Sequence, residues 1–286
     1  MATKRQLETE KLGLVEIKSL VEAYEEIAAG QMQKVRTAVL TAREFLGGLS
    51  EIFGEVKFNY ARDVLTVERQ KTRLGKGGKT VAVWISANAG LYGDIVERSF
   101  DLFADYLAKN QTEAVVVGRL GTKMMADRLP KILYNYYDLE DDRVEVEDLI
   151  LIMRYLLQFQ KIVVFYGQFK SLVNQIPMAT SVSGDSIYQP SSAEATEGQA
   201  RHQYLFEPKI ADVLEFFEGQ MLTTMFEQTV HESQLAKFAS RLMSLDTAVE
   251  NIDKKVGRLN RAGVRLKHRT DGRKQLSRIA GMSLWQ

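Results

Sequence analysis

Residues 7–52 read LETEKLGLVEIKSLVEAYEEIAAGQMQKVRTAVLTAREFLGGLSEI, and their periodicity decides the fold. Every seventh residue from Leu7 is apolar, and a companion row that starts three residues further on is apolar with two polar exceptions. The first row is Leu7, Leu14, Val21, Ala28, Val35, Ala42 and Leu49, and the companion row is Glu10, Ile17, Tyr24, Gln31, Ala38, Phe45 and Ile52. Apolar rows held at this spacing over many turns predict a long helix with a coiled-coil face.

The C-terminal end of the chain has the same period. Alternating steps of four and three residues from Phe238 meet Leu242, Leu245, Val249, Ile252, Val256, Leu259, Gly263 and Leu266. All four prolines lie between residues 130 and 208, so neither end contains a residue that would break such a helix. Two long amphipathic helices at opposite ends of one chain most simply pack on each other in antiparallel orientation. The alternative is that each helix packs in a separate bundle or against another chain.

The middle of the chain alternates short apolar runs with amphipathic segments, which favours a mostly parallel sheet covered by helices. The expected strands are 80–86, 113–117, 132–137, 161–166 and 176–182, and the expected helices are 95–109, 121–128 and 144–158. The predicted fold class is therefore α/β plus a long antiparallel α-helical coiled coil, with a Rossmann-like α/β domain inserted between the two helices of the rod. The predicted segments are 1–56 (N-terminal coiled-coil helix), 57–206 (α/β domain with connecting loops) and 207–286 (C-terminal coiled-coil helix).

Composition limits the classes of function. A formal net charge of +1 argues against a nucleic-acid binder that relies on overall charge, and the absence of cysteine excludes disulfide and thiolate chemistry. No apolar run approaches the roughly 18–20 residues needed to span a bilayer, and the N-terminus lacks the apolar core of a secretory signal. We therefore expect any membrane association to pass through a partner, without direct insertion.

Several local patterns suggest ligand sites, and each has a simpler explanation. The GKGGKT run at 75–80 lacks the first glycine of a phosphate loop and precedes a strand, so a basic loop is favoured. The GLYGD run at 90–94 follows a strand but lacks the third glycine and the distal acidic residue of a dinucleotide site, which favours a tight turn. The acidic stretch 138–148 is typical of solvated carboxylates. We expect no catalytic residue, cofactor or metal in this chain.

Four segments, taken in order along the chain, resemble the gamma subunit of F-type ATP synthases. They are 27–35 (IAAGQMQKV), 85–94 (ISANAGLYGD), 166–175 (YGQFKSLVNQ) and 238–260 (FASRLMSLDTAVENIDKKVGRLN). The last segment is similar to the family signature A-R-M-x-A-M-D-A-A-x-x-N-A at Arg241, Asp246 and Asn251, among other positions.

The resemblance implies a non-catalytic central-stalk rotor that turns inside a hexamer of alternating alpha and beta subunits. Its partners would include the epsilon subunit and the c-ring of the membrane sector, at the cytoplasmic face of a bacterial or equivalent energy-transducing membrane. Ion flow through the ring would turn the shaft and drive ATP synthesis, and hydrolysis would run the reverse. Partner contacts are expected at Met32, Gln33, Lys34, Arg241, Asp246, Asn251, Gly263, Val264 and Gln275.

Departures from the family pattern concentrate at the two helix ends. The family run T-Q-K-I-T-K-A-M is replaced by IKSLVEAY at 17–24, and its K-M-R-K arginine by Gln33. After Asn260 the family pattern K-A-R-Q-A is replaced by RAGV at 261–264 and a longer basic stretch. This basic tail reads either as a solvated helix end or as a segment that docks on acidic surfaces of the surrounding ring.

Three other functions stay open on the sequence alone. The shaft of an F-type-like ATPase specialised for hydrolysis would co-purify with membrane partners other than a c-ring. A coiled-coil scaffold would self-associate through its apolar rows, and a nucleotide-using enzyme built on the α/β domain would bind nucleotide as an isolated chain.

Overall fold

The computed structural model describes residues 4–64, 79–182 and 210–283. The elements are α1 Lys4–Val64, β1 Thr80–Ile85, α2 Ile95–Lys109, β2 Glu113–Val117, α3 Arg119–Arg128, β3 Tyr134–Tyr137, α4 Val146–Leu156, β4 Lys161–Phe169, β5 Gln175–Ser181 and α5 Ile210–Ser283. The chain divides into two compact units. The helix-pair unit comprises Met1–Ala29 and Arg241–Gln286, and the sheet unit comprises Gly30–Ser240.

The sheet unit is built on five strands in the order β3-β2-β1-β4-β5. Strand β1 pairs in parallel with β2 and β4, β2 pairs in parallel with β3, and β5 closes the other edge antiparallel to β4. Parallel strands are normally covered on both faces, and β1 is accordingly buried from Val81 to Ile85. The sheet is therefore the mostly parallel one that the alternation of strands and helices predicts.

Each face of the sheet has its own apolar core, because successive side chains of a strand point to opposite faces. One core joins Val81 and Val83 of β1 to Ile152 of α4 and Phe226 of α5. The other joins Ala82 and Trp84 to α2, to Val35 and Val39 of α1, and to Phe238 of α5. Within this unit, the two long helices are thus part of the domain core.

A tight crossing fixes the connection between β2 and α3. Gly118 has φ +101°, and a Cβ there would lie 2.8 Å from Ser86 Oγ and 2.9 Å from the carbonyl oxygen of Ala87. Only glycine adopts this backbone without strain, and only a missing side chain allows this approach. The Ser86 hydroxyl uses the space to donate a hydrogen bond to the carbonyl of Val117 at 2.7 Å.

The helix-pair unit consists of two antiparallel helical segments. Lys18 Nζ donates to Asp253 Oδ1 at 2.7 Å, and Lys255 pairs with Glu10 at 3.2 Å. Leu7 lines a groove together with Gly263 of α5, so residues earlier in α1 meet residues later in α5. The first apolar row of α1 is covered here, with Leu7 and Leu14 half-buried and Ala28 fully buried.

A stripe of large apolar side chains on α1 in the helix-pair unit is exposed. It contains Ile17 and Tyr24 of the companion row together with Leu20 and Ile27, which belong to neither row. Ile17, Leu20, Tyr24 and Ile27, which we call the open row, are 52%, 58%, 47% and 57% exposed. Spacings of three, four and three residues put them on one side of the helix. One partner helix covers only part of a wide apolar stripe, and the open row is the part left uncovered.

The fold class is confirmed, including the strand expected over 176–182, which is β5 at Gln175–Ser181. Helix α1 continues to Val64, eight residues beyond the predicted first segment 1–56. The division into three segments stays a prediction. Most of the basic loop near residue 75 and the loop expected over 184–202 lie outside the described residues.

Candidate functional site

A buried polar cluster in the described part of the sheet unit joins α5 to the loops at the carboxyl ends of the parallel strands. Lys237 Nζ donates to Asp141 Oδ1 at 2.6 Å and to the carbonyl oxygen of Ser86 at 2.9 Å. The other carboxylate oxygen of Asp141 accepts the backbone N–H groups of Asn88 at 2.7 Å and Ala89 at 2.9 Å. Both ionic side chains are less than one-tenth exposed. Five polar partners are thus satisfied together in a buried space.

The protonation of Asp141 depends on this enclosure. Burial alone would raise the pKa of its carboxyl group, but the Lys237 ammonium and the N–H groups of Ala89 and Asn88 hold that pKa below its ordinary value. Asp141 is therefore ionised at neutral pH, and the ion pair is a true charge pair. Lys237 Nζ also lies 5.8 Å from the ring centroid of Tyr92, whose ring meets Phe238 edge-on. The cation is therefore held by a carboxylate, a carbonyl and an aromatic face.

A second ion pair, in which only the carboxylate is buried, links both long helices to a strand of the sheet. Arg43 Nη2 of α1 donates to Glu232 Oε1 of α5 at 2.6 Å, and the Glu232 side chain is 8% exposed. Tyr166 of β4 lies within 3.5 Å of the other carboxylate oxygen. Burial, with the nearby Glu232 charge, raises the pKa of Tyr166 to about 12, so its hydroxyl stays a hydrogen-bond donor. We call Arg43, Asp141, Tyr166, Glu232 and Lys237 the helix–sheet junction.

The junction occupies the place where an α/β sheet usually binds its ligand. Such ligands lie beyond the carboxyl ends of the parallel strands, where Ser86, Asn88 and Ala89 follow β1. Here Lys237 of the chain's own helix fills that position. The GLYGD segment forms the predicted turn between β1 and α2, with Leu91 at φ 66° and Gly93 at φ 59°. What this arrangement can do is hold α5 and the sheet in one fixed register.

The predicted partner-contact residues are distributed along two helices and do not form one cluster. Met32, Gln33 and Lys34 belong to α1 in the sheet unit, where Met32 packs against the core and the other two are exposed. The other six lie along α5 in the helix-pair unit. Asp246, Asn251, Val264 and Gln275 are exposed, whereas Arg241 and Gly263 are half-buried. A spread from residue 241 to 275 covers about 50 Å of helix, at about 1.5 Å per residue.

Sequence reasoning missed the junction and interpreted its aspartate as solvated. Asp141 belongs to the acidic stretch 138–148, yet its side chain is buried. One signal in the sequence was available. In the run 232–240 the charged residues Glu232 and Lys237 lie on either side of the apolar pair Leu235 and Ala236. The apolar residues of this part of the helix do not keep to one side. Such a pattern is typical of a helix segment that is covered on every side, where a charge needs a partner.

The described residues contain neither a cluster of metal-ligating side chains nor a membrane-spanning helix. Among residues 4–64, 79–182 and 210–283, no group of three or more histidine and carboxylate side chains is placed to hold a metal ion. Within those same ranges, no helix combines the length and the apolar character needed to cross a bilayer.

Comparison with known proteins points in one direction. The model of the ATP synthase family matches residues 5–267. The ATP synthase gamma chain of Chlorobaculum parvum is 23% identical over 276 residues, which cover 91% of each chain. The gamma chain of Mycoplasmoides gallisepticum is 21% identical over 261 residues, covering 88% of this chain and 89% of the relative.

Solved structures share the fold. The central stalk and c-ring structure of Tetrahymena thermophila mitochondrial ATP synthase contains a chain that matches with a TM-score of 0.56 and 14% identity, covering 80% of this chain and 99% of the other. A chain in the Euglena gracilis mitochondrial ATP synthase matches with a TM-score of 0.53 and 13% identity, covering 89% and 94%. Both likenesses extend over most of the chain.

Proposed function

Because this chain belongs to the ATP synthase family, as one of its gamma chains, we propose that its helix pair turns inside a ring of alpha and beta subunits as the rotor of the central stalk. The observation that carries the proposal is the open row. Ile17, Leu20, Tyr24 and Ile27 form one apolar stripe that α5 leaves uncovered. Contiguous exposed apolar side chains of this kind mark surfaces that another protein covers.

The open row suits a moving contact better than a permanent one. Apolar contact is not directional, so a smooth apolar surface can slide past successive partners without breaking specific hydrogen bonds. Charged side chains flank the row, for example Glu16, Glu22 and Glu26, and they keep the rest of the helix solvated. A ring whose subunits hold this asymmetric surface with unequal affinity would couple its orientation to their nucleotide states.

The helix–sheet junction supports the other half of the proposal. A shaft must pass torque from its foot to its helices, so the foot must not slip on them. Lys237 and Glu232 tie α5 to the loop after β1 and to β4 through hydrogen bonds with the Ser86 carbonyl and the Tyr166 hydroxyl. Each of the two also forms an ion pair, Lys237 with Asp141 and Glu232 with Arg43. We therefore propose that the α/β domain is the foot of the rotor. Its partners in this proposal are the epsilon subunit and the c-ring, at the cytoplasmic face of an energy-transducing membrane.

We further propose that the chain is non-catalytic. The same proposal assigns contacts with the ring to Met32, Gln33 and Lys34 on α1, and to a set of residues on α5. That set is Arg241, Asp246, Asn251, Gly263, Val264 and Gln275. Their exposure is compatible with this role for all except Met32, Arg241 and Gly263, which are partly covered by the chain itself.

Affinity purification of the tagged chain from native membranes tests the proposal. We expect alpha, beta, epsilon and c subunits to be recovered together with ATPase activity. The variant L20E/I27E should lose the alpha and beta subunits, because two carboxylates would then face an apolar surface. The variant S19E/A29E is the matched control, since Ser19 and Ala29 are exposed and lie off the open row.

The control variant should recover the same subunits as the wild-type chain. Recovery of the wild-type chain alone, or with copies of itself, would contradict the proposed function. Equal loss of alpha and beta subunits in both variants would contradict the role given to the open row.

A further inference from the structure

Four arginines follow one another at intervals of four residues on the last part of α5, in a row that winds about 120° around the helix. Arg261, Arg265, Arg269 and Arg273, which we call the arginine row, are all exposed. We propose that the arginine row is a docking surface for an acidic protein surface, carried by the subunits that surround the stalk. This proposal rests on the proposed function, because it takes the surrounding ring as the partner.

The arginine row makes no ion pair with the described part of its own chain. Among the residues that the structure describes, none of the four guanidinium groups makes an ion pair. Each lies one turn from the next, about 6 Å along the helix axis, so like charges face each other at the spacing that destabilises a helix. Gly272, inside the same stretch, further weakens the helix. A set of carboxylates beside the row would reverse the sign of these interactions.

The row also extends past the end of the helix pair. Lys4, the first described residue of α1, lines the groove that contains Lys267 of α5. After Lys267 the described helix continues to Ser283, and nearly every described side chain there is exposed. The next two positions after Leu266 in the same steps of four and three residues are polar, Thr270 and Arg273. The second half of the row therefore lies on a segment with no helix of its own chain beside it in the described structure.

The chemistry of the row favours protein carboxylates. Arginine presents a planar fork that binds carboxylates in a bidentate manner, whereas lysine acts as a compact point charge. The four-residue repeat also matches the spacing of carboxylates one turn apart on a partner helix. On the opposite side of α5 the basic residues Lys267, Lys274 and Arg278 include two lysines. The arginines are thus concentrated on one side.

Other anionic partners fit less well. A helix that lies on a membrane separates an apolar face from a basic one, but here Leu276 lies on the same side as Arg265 and Arg269. A nucleic-acid surface usually combines a broad positive field with stacking side chains. This chain has a net charge of only +1, and residues 254–280 contain no phenylalanine, tyrosine or tryptophan.

Two triple variants of the full chain separate the row from charge in general. R265Q/R269Q/R273Q removes three arginines of the row. K267Q/K274Q/R278Q removes three positive charges from the opposite side of the same helix, roughly 180° away at about 100° per residue. Each is assembled with alpha and beta subunits purified from the same cells, and its dissociation from the ring is followed between about 50 mM and about 500 mM NaCl.

We expect the row variant to dissociate about 10- to 100-fold faster at low salt and to lose most of its salt dependence. The opposite-side variant should stay within about twofold of the wild-type chain. A third variant, R265K/R269K/R273K, should dissociate at an intermediate rate, because charge remains but the forks are lost. Circular dichroism of each free chain checks that α5 is equally helical.

Equal dissociation of the row variant and the wild-type chain would overturn the proposal while leaving the proposed function intact. Failure of the wild-type chain to enter the ring would instead overturn the proposed function, and the choice of partner with it. Row-dependent binding to phosphatidylglycerol vesicles or to duplex DNA, without row-dependent binding to the ring, would also overturn the proposal.

Discussion

The buried Lys237–Asp141 pair gives a quantitative prediction for Lys237→Met. Methionine keeps most of the apolar stem and removes the ammonium group, so the cation–π contact with Tyr92 and two hydrogen bonds are lost. These are the bonds to Asp141 Oδ1 at 2.6 Å and to the Ser86 carbonyl at 2.9 Å. Asp141 is then left as a buried carboxylate that only backbone N–H groups compensate.

The free-energy cost follows from that residual charge. Removing one partner of a buried ion pair costs about 3–5 kcal/mol, because the other charge stays desolvated. The N–H groups of Asn88 and Ala89 still solvate Asp141, which argues for the low end of that range. We therefore expect Lys237→Met to reduce the free energy of unfolding of the sheet unit by about 3 kcal/mol at neutral pH.

The loss should depend on pH with a definite sign. In the wild-type chain the folded pKa of Asp141 is lowered, so its contribution to stability is present above the unfolded pKa of about 3.9 and is lost as pH falls through the folded pKa. Without Lys237, burial raises that pKa instead, and protonation in mildly acidic solution relieves the buried charge. The difference in stability between wild type and variant should therefore shrink as pH falls from neutral.

Denaturant unfolding followed by Trp84 fluorescence measures this difference. Trp84 is fully buried in β1, and its indole N–H donates to Ser99 at 3.0 Å, so its emission reports on the sheet unit. A Trp285→Phe background removes the other tryptophan. Lys79→Met is the matched control in the same unit, because Lys79 pairs with Glu113 at the surface, and it should cost less than about 1 kcal/mol. A loss below about 1 kcal/mol for Lys237→Met, or one that does not change with pH, would refute the reasoning.

Three further outcomes test the sheet unit. Gly118→Ala should destabilise the unit by about 2–4 kcal/mol in the same unfolding assay, because φ +101° and the contact with Ser86 leave no room for a methyl group. Gly90→Ala is the control, and it should cost less than about 1 kcal/mol because the space around Gly90 is open. Phe226→Ala removes a fully buried ring and should reduce the free energy of unfolding by about 3–5 kcal/mol. Phe216 is exposed, so Phe216→Ala should cost less than about 1 kcal/mol. Similar losses for the two variants would contradict the assignment of Phe226 to the core. An ultraviolet titration compares the wild-type chain with Tyr166→Phe. The difference between them should contain no tyrosinate absorbance near pH 10, because burial raises the pKa of Tyr166 to about 12. Tyrosinate absorbance near pH 10 would instead place the Tyr166 hydroxyl in water.

Local periodicity predicted most of the secondary structure. The strands over 80–86, 113–117 and 161–166 were expected because short β-branched runs bounded by turn residues have few alternative folds. Apolar residues at alternating steps of four and three predicted the long helices, again from local spacing alone. These signals depend on neighbours in the sequence. The structure confirms the strands and short helices with shifts of a few residues at their ends, and α1 continues eight residues past its predicted segment.

The junction could not be predicted, because its partners are far apart in the chain. Lys237 and Asp141 are 96 residues apart, and Arg43 and Glu232 are 189 apart. No local pattern states which of many charged residues will meet, since that depends on where α5 crosses the sheet. The exposure of the open row could not be predicted for a related reason. A wide apolar stripe shows that a helix is amphipathic, but the crossing geometry decides how much of the stripe one partner covers.

The ionic character of the junction has a physical rationale in a rotor. Residues 232–240 of α5 are buried on every side, and an entirely apolar cylinder could pack almost equally well after slipping by one turn. Such a slip would move Lys237 about 5.4 Å from Asp141 and leave two buried charges unpaired. The same slip would separate Glu232 from Arg43, so both pairs penalise the same displacement. Buried ion pairs add little net stability compared with apolar packing, but they fix register. In the proposed rotor, a shaft that turns with its foot would need this kind of specificity more than additional stability.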